Sequence, residues 1–476
     1  MSRLPSSARR PAHALVIGAG MGGLTAAAAL ARHVDQVTVV ERDSLPAQPA
    51  PRAGTPQGRH LHVLQPGGLA SLDRLLPGFG DRLRHRGAAS IVAPRDILWL
   101  SAAGWMQPHR QGGRTILAAS RDLIEHVTRE LALSGSHIVL RTGVEVSGLQ
   151  VTGGRVVGVG LRPRGAAPTE PTERLAADIV VDASGRRSQA PDWLVAAGFD
   201  RPRETHVDAH LAYATRTYRR GPDDLGGWGA VFLQARPPHT TRMGVMFPIE
   251  GDRWMLTMAG TNGDVPPTDE EGFLAFARGM RSPALAEVIE RLEPVSRIAG
   301  FRRTENRRRH YEDLRHAPDG FVVIGDAACT FNPVYGQGMS AAALAAEALD
   351  RGLARHLART GGDAAGVTAD LQRAVAKANA GAWMVATGED LRWPGTEGGS
   401  VTVADRVVRR YLDRVVAAAA TDAVVGGAFF DVIALLAPPT SLMRPALAAR
   451  VLGRRHAAPP AAAPTPLPTP RAAQAA

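Results

Sequence analysis

Cysteine is almost absent: Cys329 is the single one in 476 residues. That excludes an internal disulfide and any multi-cysteine zinc or iron–sulfur site, and it suits a reducing cytoplasm, the expected location. Lysine is as scarce, with Lys377 alone, so the formal charge of +11 and the pI ≈ 10.9 rest on arginine. No recognised nucleic-acid module accompanies the charge. The surplus is therefore read as favouring anionic ligands, such as cofactor phosphates, a carboxylate or a carrier protein, with no nucleic acid among the partners. No stretch offers the ~20 uncharged apolar residues of a membrane span. Residues 415–436 come nearest, but Asp422 and Asp431 interrupt them, and they read as core helices. The basic start MSRLPSSARRPAH runs straight into an apolar strand with no cleavage site, so neither a signal peptide nor a transmembrane segment is expected. A chain of this length suits two interleaved domains or one large domain with appendages.

What is present is organised around Ala14–Glu41. An apolar run enters a glycine turn, an Ala/Leu-rich segment follows at helical spacing, and a β-branched run ends on an acid. Gly18, Gly20 and Gly23 form G-x-G-x-x-G between strand and helix, with Glu41 at the end of the second strand. Gly18 permits the turn, Gly20 lets backbone N–H groups reach a pyrophosphate, and Gly23 lets helix and strand pack closely. Glu41 would accept hydrogen bonds from a ribose. The stretch therefore predicts dinucleotide binding, NAD(P) or FAD.

Further on, GRHLHVL (58–64) precedes a helix beginning at Pro66. With no acid or cysteine at matching spacing, Arg59 and His60 point to a place beside the cofactor rather than to metal. Ser120 is the expected N-cap of a helix whose first turn carries Arg121. An arginine there opposes the helix dipole, which is explained if it meets a cofactor phosphate or carbonyl. Gly153-Gly154 predicts a hairpin turn, and a strand ends in Asp182-Ala183-Ser184-Gly185, where Asp182 could also cap its own turn. Alternation over 209–218, 243–248 and 254–259 predicts a mostly antiparallel sheet with few titratable groups, suited to a hydrophobic substrate wall or to an ordinary core.

The second anchor is Phe321–Leu349. A buried strand ends at Gly325-Asp326, a loop with Pro333, Gly336 and Gly338 follows, and Ser340 is the expected cap of an Ala-rich helix. Asp326 suits a ribityl hydroxyl, and the glycines suit backbone lying flat against a ring. The helix end offers N–H groups to developing negative charge. A nicotinamide enzyme has no need of this loop, so the dinucleotide reads as FAD. The tail 456–476 is Pro/Ala-rich and expected to be disordered.

These motifs stand in the order used by flavoprotein monooxygenases. The chain resembles FAD-dependent aromatic hydroxylases, and more closely the polyether-antibiotic epoxidases of the lasalocid and monensin type. The resemblance rests on stretches such as GRHLHVL, DASGRRS, HLAYATRTYR, FPIEGDRW, ENRRRHYEDL and GDAACTFNPVYGQGMSAAA. It implies an α/β fold, with a Rossmann-type FAD domain interleaved with an antiparallel substrate sheet and followed by C-terminal helices. The FAD parts would be 12–90, 119–200 and 312–360, the substrate parts 91–118 and 201–311, and the helical region 361–455. It further implies that FAD is bound by Gly18, Gly20, Gly23, Glu41, Arg42, Arg59, His60, Arg121, Asp182, Gly185, Gly325 and Asp326, with Pro333, Gly336, Gly338, Met339 and Ser340 beside the ring. Reduced flavin and O2 would give a C4a-hydroperoxide whose distal oxygen passes to an alkene of a hydrophobic, polyketide-like substrate, free or carrier-bound. Electrons would come from NAD(P)H directly or through a separate flavin reductase, since D-A-S-G replaces the D-G of hydroxylases that take NAD(P)H themselves. The alternatives are ring hydroxylation, with His206, His210 or Tyr213 as activating groups, saturation of double bonds as in geranylgeranyl reductases, and a flavin-binding protein without catalysis. A halogenase would need an early lysine and W-x-W-x-I-P, and the chain has neither.

Overall fold

A computed structural model describes residues 11–109, 113–167, 169–170, 172–453 and 458–467. Five parallel strands form the first sheet, in the order Phe321–Val323, Ile179–Asp182, His13–Ile17, Gln36–Glu41, Ile138–Thr142. Both faces are covered, so these strands read as near-continuous apolar runs rather than alternating ones. The helix Met21–Leu30 crosses over from the first strand to the second, and the long helix Gly338–Thr360 packs against it. Their shared core is made of small side chains, including Ala26, Ala27, Ala343 and Ala346, all fully buried. Strands Val144–Thr152 and Arg155–Pro163 form a hairpin pairing Thr152 with Arg155. Its two turn residues, Gly153 and Gly154, both have positive φ, as a type I′ turn requires.

The second sheet has six strands, in the order Ala299–Phe301, Ala212–Arg219, Arg253–Gly260, Arg242–Ile249, Ala230–Leu233, Ile97–Leu100. All neighbours are antiparallel except the last pair, where Ile97–Leu100 joins in parallel. Strict alternation gives it two different faces. Ala214, Tyr218, Trp254, Leu256 and Met258 point one way, under the helices Glu270–Arg278 and Ala284–Ile289. Tyr213, Thr215, Thr257, Met243 and Phe247 point the other way, toward His60 and Leu61, Val334 and the C-terminal helices. The fold is thus the expected α/β architecture. Arg114–Ala118 pairs instead with Val63–Leu64 and Ala89–Ala93 in a separate three-stranded sheet.

The interrupted run 415–436 is two helices, Val403–Ala419 and Ala423–Ile433, and Asp422 is the cap between them, accepting from the N–H of Val424 at 2.9 Å. No helix among the described residues is long and apolar enough to cross a membrane. Within the tail, residues 458–467 are placed against the body. Pro459 lies close to Gly104, and Pro466 lies close to Gly227.

Candidate functional site

The glycine turn is built for close approach. Gly18 has φ +98°, and a Cβ there would stand 2.7 Å from the carbonyl oxygen of Ala183. A Cβ on Gly23 would fall 1.8 Å from the carbonyl oxygen of Gly18, so neither position tolerates a side chain. Gly20 begins the helix with no side-chain cap and no acid in the first turn. The first N–H groups and the positive helix end are therefore free for an anion.

Glu41 is buried and steadies this turn. Its oxygens accept from the N–H of Ala19 at 2.8 Å and of Asp43 at 2.9 Å, leaving a second lone pair on each for a ribose hydroxyl. Arg42 and Arg59 are exposed. Sequence reasoning passed over Arg52, Asp43 and Glu125. The Arg52 guanidinium lies 3.5 Å from Glu41, 3.1 Å from Asp43 and 2.6 Å from Glu125. A Cβ on Gly20 would be 3.7 Å from that guanidinium, which puts a buried cation over the turn. The signal available was Glu125 one helical turn beyond Arg121.

Arg121 opens the helix Arg121–Ala132, and Ser120 caps it, accepting from the N–H of Leu123 at 3.1 Å. The arginine is buried rather than solvated. It donates from Nη2 to Glu125 at 3.0 Å and leaves Nε with no partner among the described residues. A buried, unsatisfied charged donor is costly unless a ligand meets it. Burial works against the Glu125 charge, but Arg121 and Arg52 bring its carboxyl below the usual range.

Asp326 follows the strand Phe321–Val323 in a short helical turn, and no described residue donates to its carboxylate. Burial pushes the carboxyl up, against the pull of Arg121, Arg186 and Arg307. These residues bring Asp326 and Arg121 into one electropositive neighbourhood. Gly325, at φ +61°, lies beside the first helix, where a Cβ would be in ordinary contact at 3.7 Å from the Cα of Gly22. Asp182 is occupied differently. It is fully buried and accepts from the Ser184 N–H at 2.9 Å and from the Ser188 hydroxyl, so its side chain caps its own turn. Gly185, with φ +82° and open space where a Cβ would stand, leaves the backbone accessible.

The loop Pro333–Gly338 differs from expectation at its end. The helix begins at Gly338 after Gln337, with no side-chain cap, and Ser340 lies in its first turn rather than before it. The Ser340 hydroxyl is fully buried and accepts from the N–H of Gln65 at 3.0 Å, because Gly68 packs directly on it. Capping preference alone could not register that partner, 275 residues away. Met339 is buried beside it, and Gln337 leaves a buried Oε1 without a partner among the described residues. Gly336 has φ +63°, a conformation strained for any other side chain whatever lies nearby.

His60 is packed against the second sheet, on the face opposite the helices Glu270–Arg278 and Ala284–Ile289. Nδ1 lies 2.8 Å from the Thr215 hydroxyl, and the ring meets Tyr213 edge-on at 4.6 Å. Burial and Arg59 lower its pKa to about 4. His62 is driven lower, to about 3, by burial and Arg121. Val334 of the loop Pro333–Gly338 packs, like Met243 and Phe301, against the cluster of Leu211, Tyr213 and Ala259, so the loop and the sheet face meet there. Of the other activating candidates, His206 and His210 are exposed and sit beside acids. Only Tyr213 lies on this face, and burial raises its hydroxyl above the ordinary range.

The cradle that Cβ atoms would fill, the uncapped helix ends, the orphaned Arg121 Nε and the unpartnered Asp326 together fit FAD. The class so defined is a flavoprotein with the fold of FAD-dependent monooxygenases. The chain belongs to the FAD binding domain family, which matches residues 12–380. It is 33% identical over 429 residues to protein Rv3254 of Mycobacterium tuberculosis (strain ATCC 25618 / H37Rv), covering 89% of this chain and 90% of that protein. PqsL of Pseudomonas aeruginosa, described as a probable FAD-dependent monooxygenase, shares the fold at a TM-score of 0.58 and 18% identity, covering 80% of this chain and 94% of its own. A triple mutant of the flavin-dependent brominase Bmp2 does so at 0.59 and 16%, covering 88% and 95%.

Proposed function

We propose that the protein is an FAD-dependent monooxygenase that epoxidises alkenes of a hydrophobic, polyketide-like small molecule in antibiotic-type biosynthesis. Bound FAD, reduced and then exposed to O2, supplies an electrophilic oxygen atom. The balance is one oxygen atom to the alkene and one to water, with two electrons and one proton arriving as hydride from NAD(P)H, directly or through a reductase, and a second proton from solvent. The chain's own residues do the rest. Gly18, Gly20 and Gly23 admit the pyrophosphate, and Arg52 and Arg121 compensate its charge. Glu41 and Asp326 accept from the ribose and ribityl hydroxyls. The uncapped N-terminus at Gly338 favours negative charge on the ring, and the sheet face excludes water.

The observation that carries the epoxidase reading is the chemistry of that face. Tyr213, Thr215, Met243, Phe247 and Thr257, the buried and half-buried residues of its middle, carry no charged group. An isolated alkene needs no base, whereas a phenol must be activated. His60, lowered to about 4, is a weak base poorly matched to a phenol of pKa ≈ 10. Ring hydroxylation remains the second reading because His60 and Tyr213 are in place, were a phenol to bind there. Halogenation has less support, since Lys377 is exposed on the helix Thr368–Asp390.

The test is product analysis with the purified protein, FAD, a flavin reductase and NADH, offering a polyene and a phenol in parallel. Products that open to diols in acid establish epoxidation. A new phenolic hydroxyl promotes the second reading, and a saturated product without oxygen consumption returns the protein to the reductases.

A further inference from the structure

Behind the flavin-facing loop lies a buried carboxylate that the cofactor cradle does not use. Asp390 ends the helix Thr368–Asp390 and is 1% exposed. It accepts from Asn306 Nδ2 at 2.6 Å, from Asn332 Nδ2 at 3.1 Å to each oxygen, and from the Tyr335 hydroxyl at 2.6 Å. Asn332 is fastened at its other groups as well. Its N–H donates to Asn306 Oδ1 at 2.7 Å, and its own Oδ1 accepts from the N–H of Val334 at 3.2 Å. One charge therefore joins the strand Asn306–Arg309 to both ends of the turn Pro333–Tyr335. The middle residue of that turn, Val334, touches the substrate-facing cluster of Tyr213 and Phe301. The turn then runs through Gly336 into the uncapped helix Gly338–Thr360.

Burying a carboxylate costs several kcal/mol unless donors surround it, and apolar packing would fix a loop without that cost. The arrangement makes sense where the position of the loop matters more than its stability. We infer that Asp390 is the positioning residue of oxygen transfer. Through Asn306, Asn332 and Tyr335 it sets where the loop 333–338 stands between the cofactor and the substrate sheet. The inference rests on the monooxygenase reading. Burial and the charge of Glu389 push Asp390 up to about 6 against its four donor contacts, so acid removes the charge that gathers them. The other ionisable groups around the clasp are Tyr335, Glu389, and Arg392 with its partner Asp413.

The experiment uses the FAD-loaded full chain and two variants. Asp390→Asn keeps the shape but sets an amide among donors. Tyr335→Phe removes one donor and is the milder change should the first fail to fold. Losing a hydrogen bond to a charged group opens a segment by roughly 10- to 100-fold. Hydrogen exchange of the amides at 334–338 should accelerate by about that factor in both variants, while FAD content holds. Flavin fluorescence of the wild type should titrate with a midpoint near 6, and that titration should vanish in Asp390→Asn. In turnover of a polyene, a misplacement of about 1 Å costs on the order of 100-fold. More of the oxygen consumed should accordingly emerge as hydrogen peroxide. Unchanged exchange, a titration that persists in Asp390→Asn, or exchange accelerated over the whole chain together with loss of FAD would each overturn the inference. If the wild type transfers no oxygen to any substrate, the functional reading falls and the step with it. Exchange and fluorescence, which need only bound FAD, separate that outcome from a failed clasp.

Discussion

Acidifying the protein from pH 7.5 to 5 should cost it stability through His60, by an amount that the structure sets. The ring is 3% exposed, held at Nδ1 by Thr215 and packed edge-on against Tyr213. Burial and Arg59 lower its pKa from 6.5 to about 4. The unfolded chain takes the proton first, so this contribution is complete above pH 6.5 and is lost as pH falls toward 4. At about 1.4 kcal/mol per pH unit the whole effect is about 3 kcal/mol, of which about 2 kcal/mol is gone by pH 5. The assay is urea unfolding of the wild type and His60→Gln at both pH values. Gln keeps a polar partner for Thr215 but does not titrate. Whatever stability the variant loses at pH 7.5, the gap to wild type should narrow by about 2 kcal/mol at pH 5. A gap that stays constant would refute the buried, neutral imidazole.

Four further outcomes follow from the site. Gly23→Ala drives a Cβ to 1.8 Å from the Gly18 carbonyl oxygen, and purified protein should retain almost no FAD by absorbance. Arg121→Gln removes a buried charged donor whose Nε has no partner among the described residues and which the proposal assigns to the cofactor. It should weaken FAD binding by roughly 10- to 100-fold in fluorescence titration, and a change below twofold would place the arginine outside the phosphate site. Ser340→Ala leaves the Gln65 N–H unpaired and should lower stability by about 1–3 kcal/mol in urea while leaving FAD affinity unchanged. Gly336→Ala meets a left-handed backbone at φ +63°. It should cost about 1–2 kcal/mol, a penalty that arises with or without flavin in the protein.

The elements legible in the sequence were those written by local pattern. Gly18, Gly20 and Gly23 sit between apolar strands, and Gly153-Gly154 dictates its hairpin through positive φ alone. The alternation in Ala212–Arg219 and Arg253–Gly260 records two faces packed against different elements. What escaped depends on distant partners. Ser340 has good capping chemistry, but the chain enters the helix earlier, at Gly338, and its hydroxyl answers Gln65 instead. His60 stands in a stretch expected beside the cofactor, and its burial is set by partners that stretch does not show, Thr215 and Tyr213 on a sheet far along the chain. The Arg52 network and the Asp390 clasp are likewise assembled from segments with no pattern of their own.

The most direct test of the oxygen-transfer account is product mass after turnover of a polyene polyketide under isotopically labelled O2 with FAD, NADH and a flavin reductase. The account predicts one labelled oxygen gained per double bond consumed, with an equal amount of water formed from the other atom. Double bonds consumed with no label in the product would contradict it.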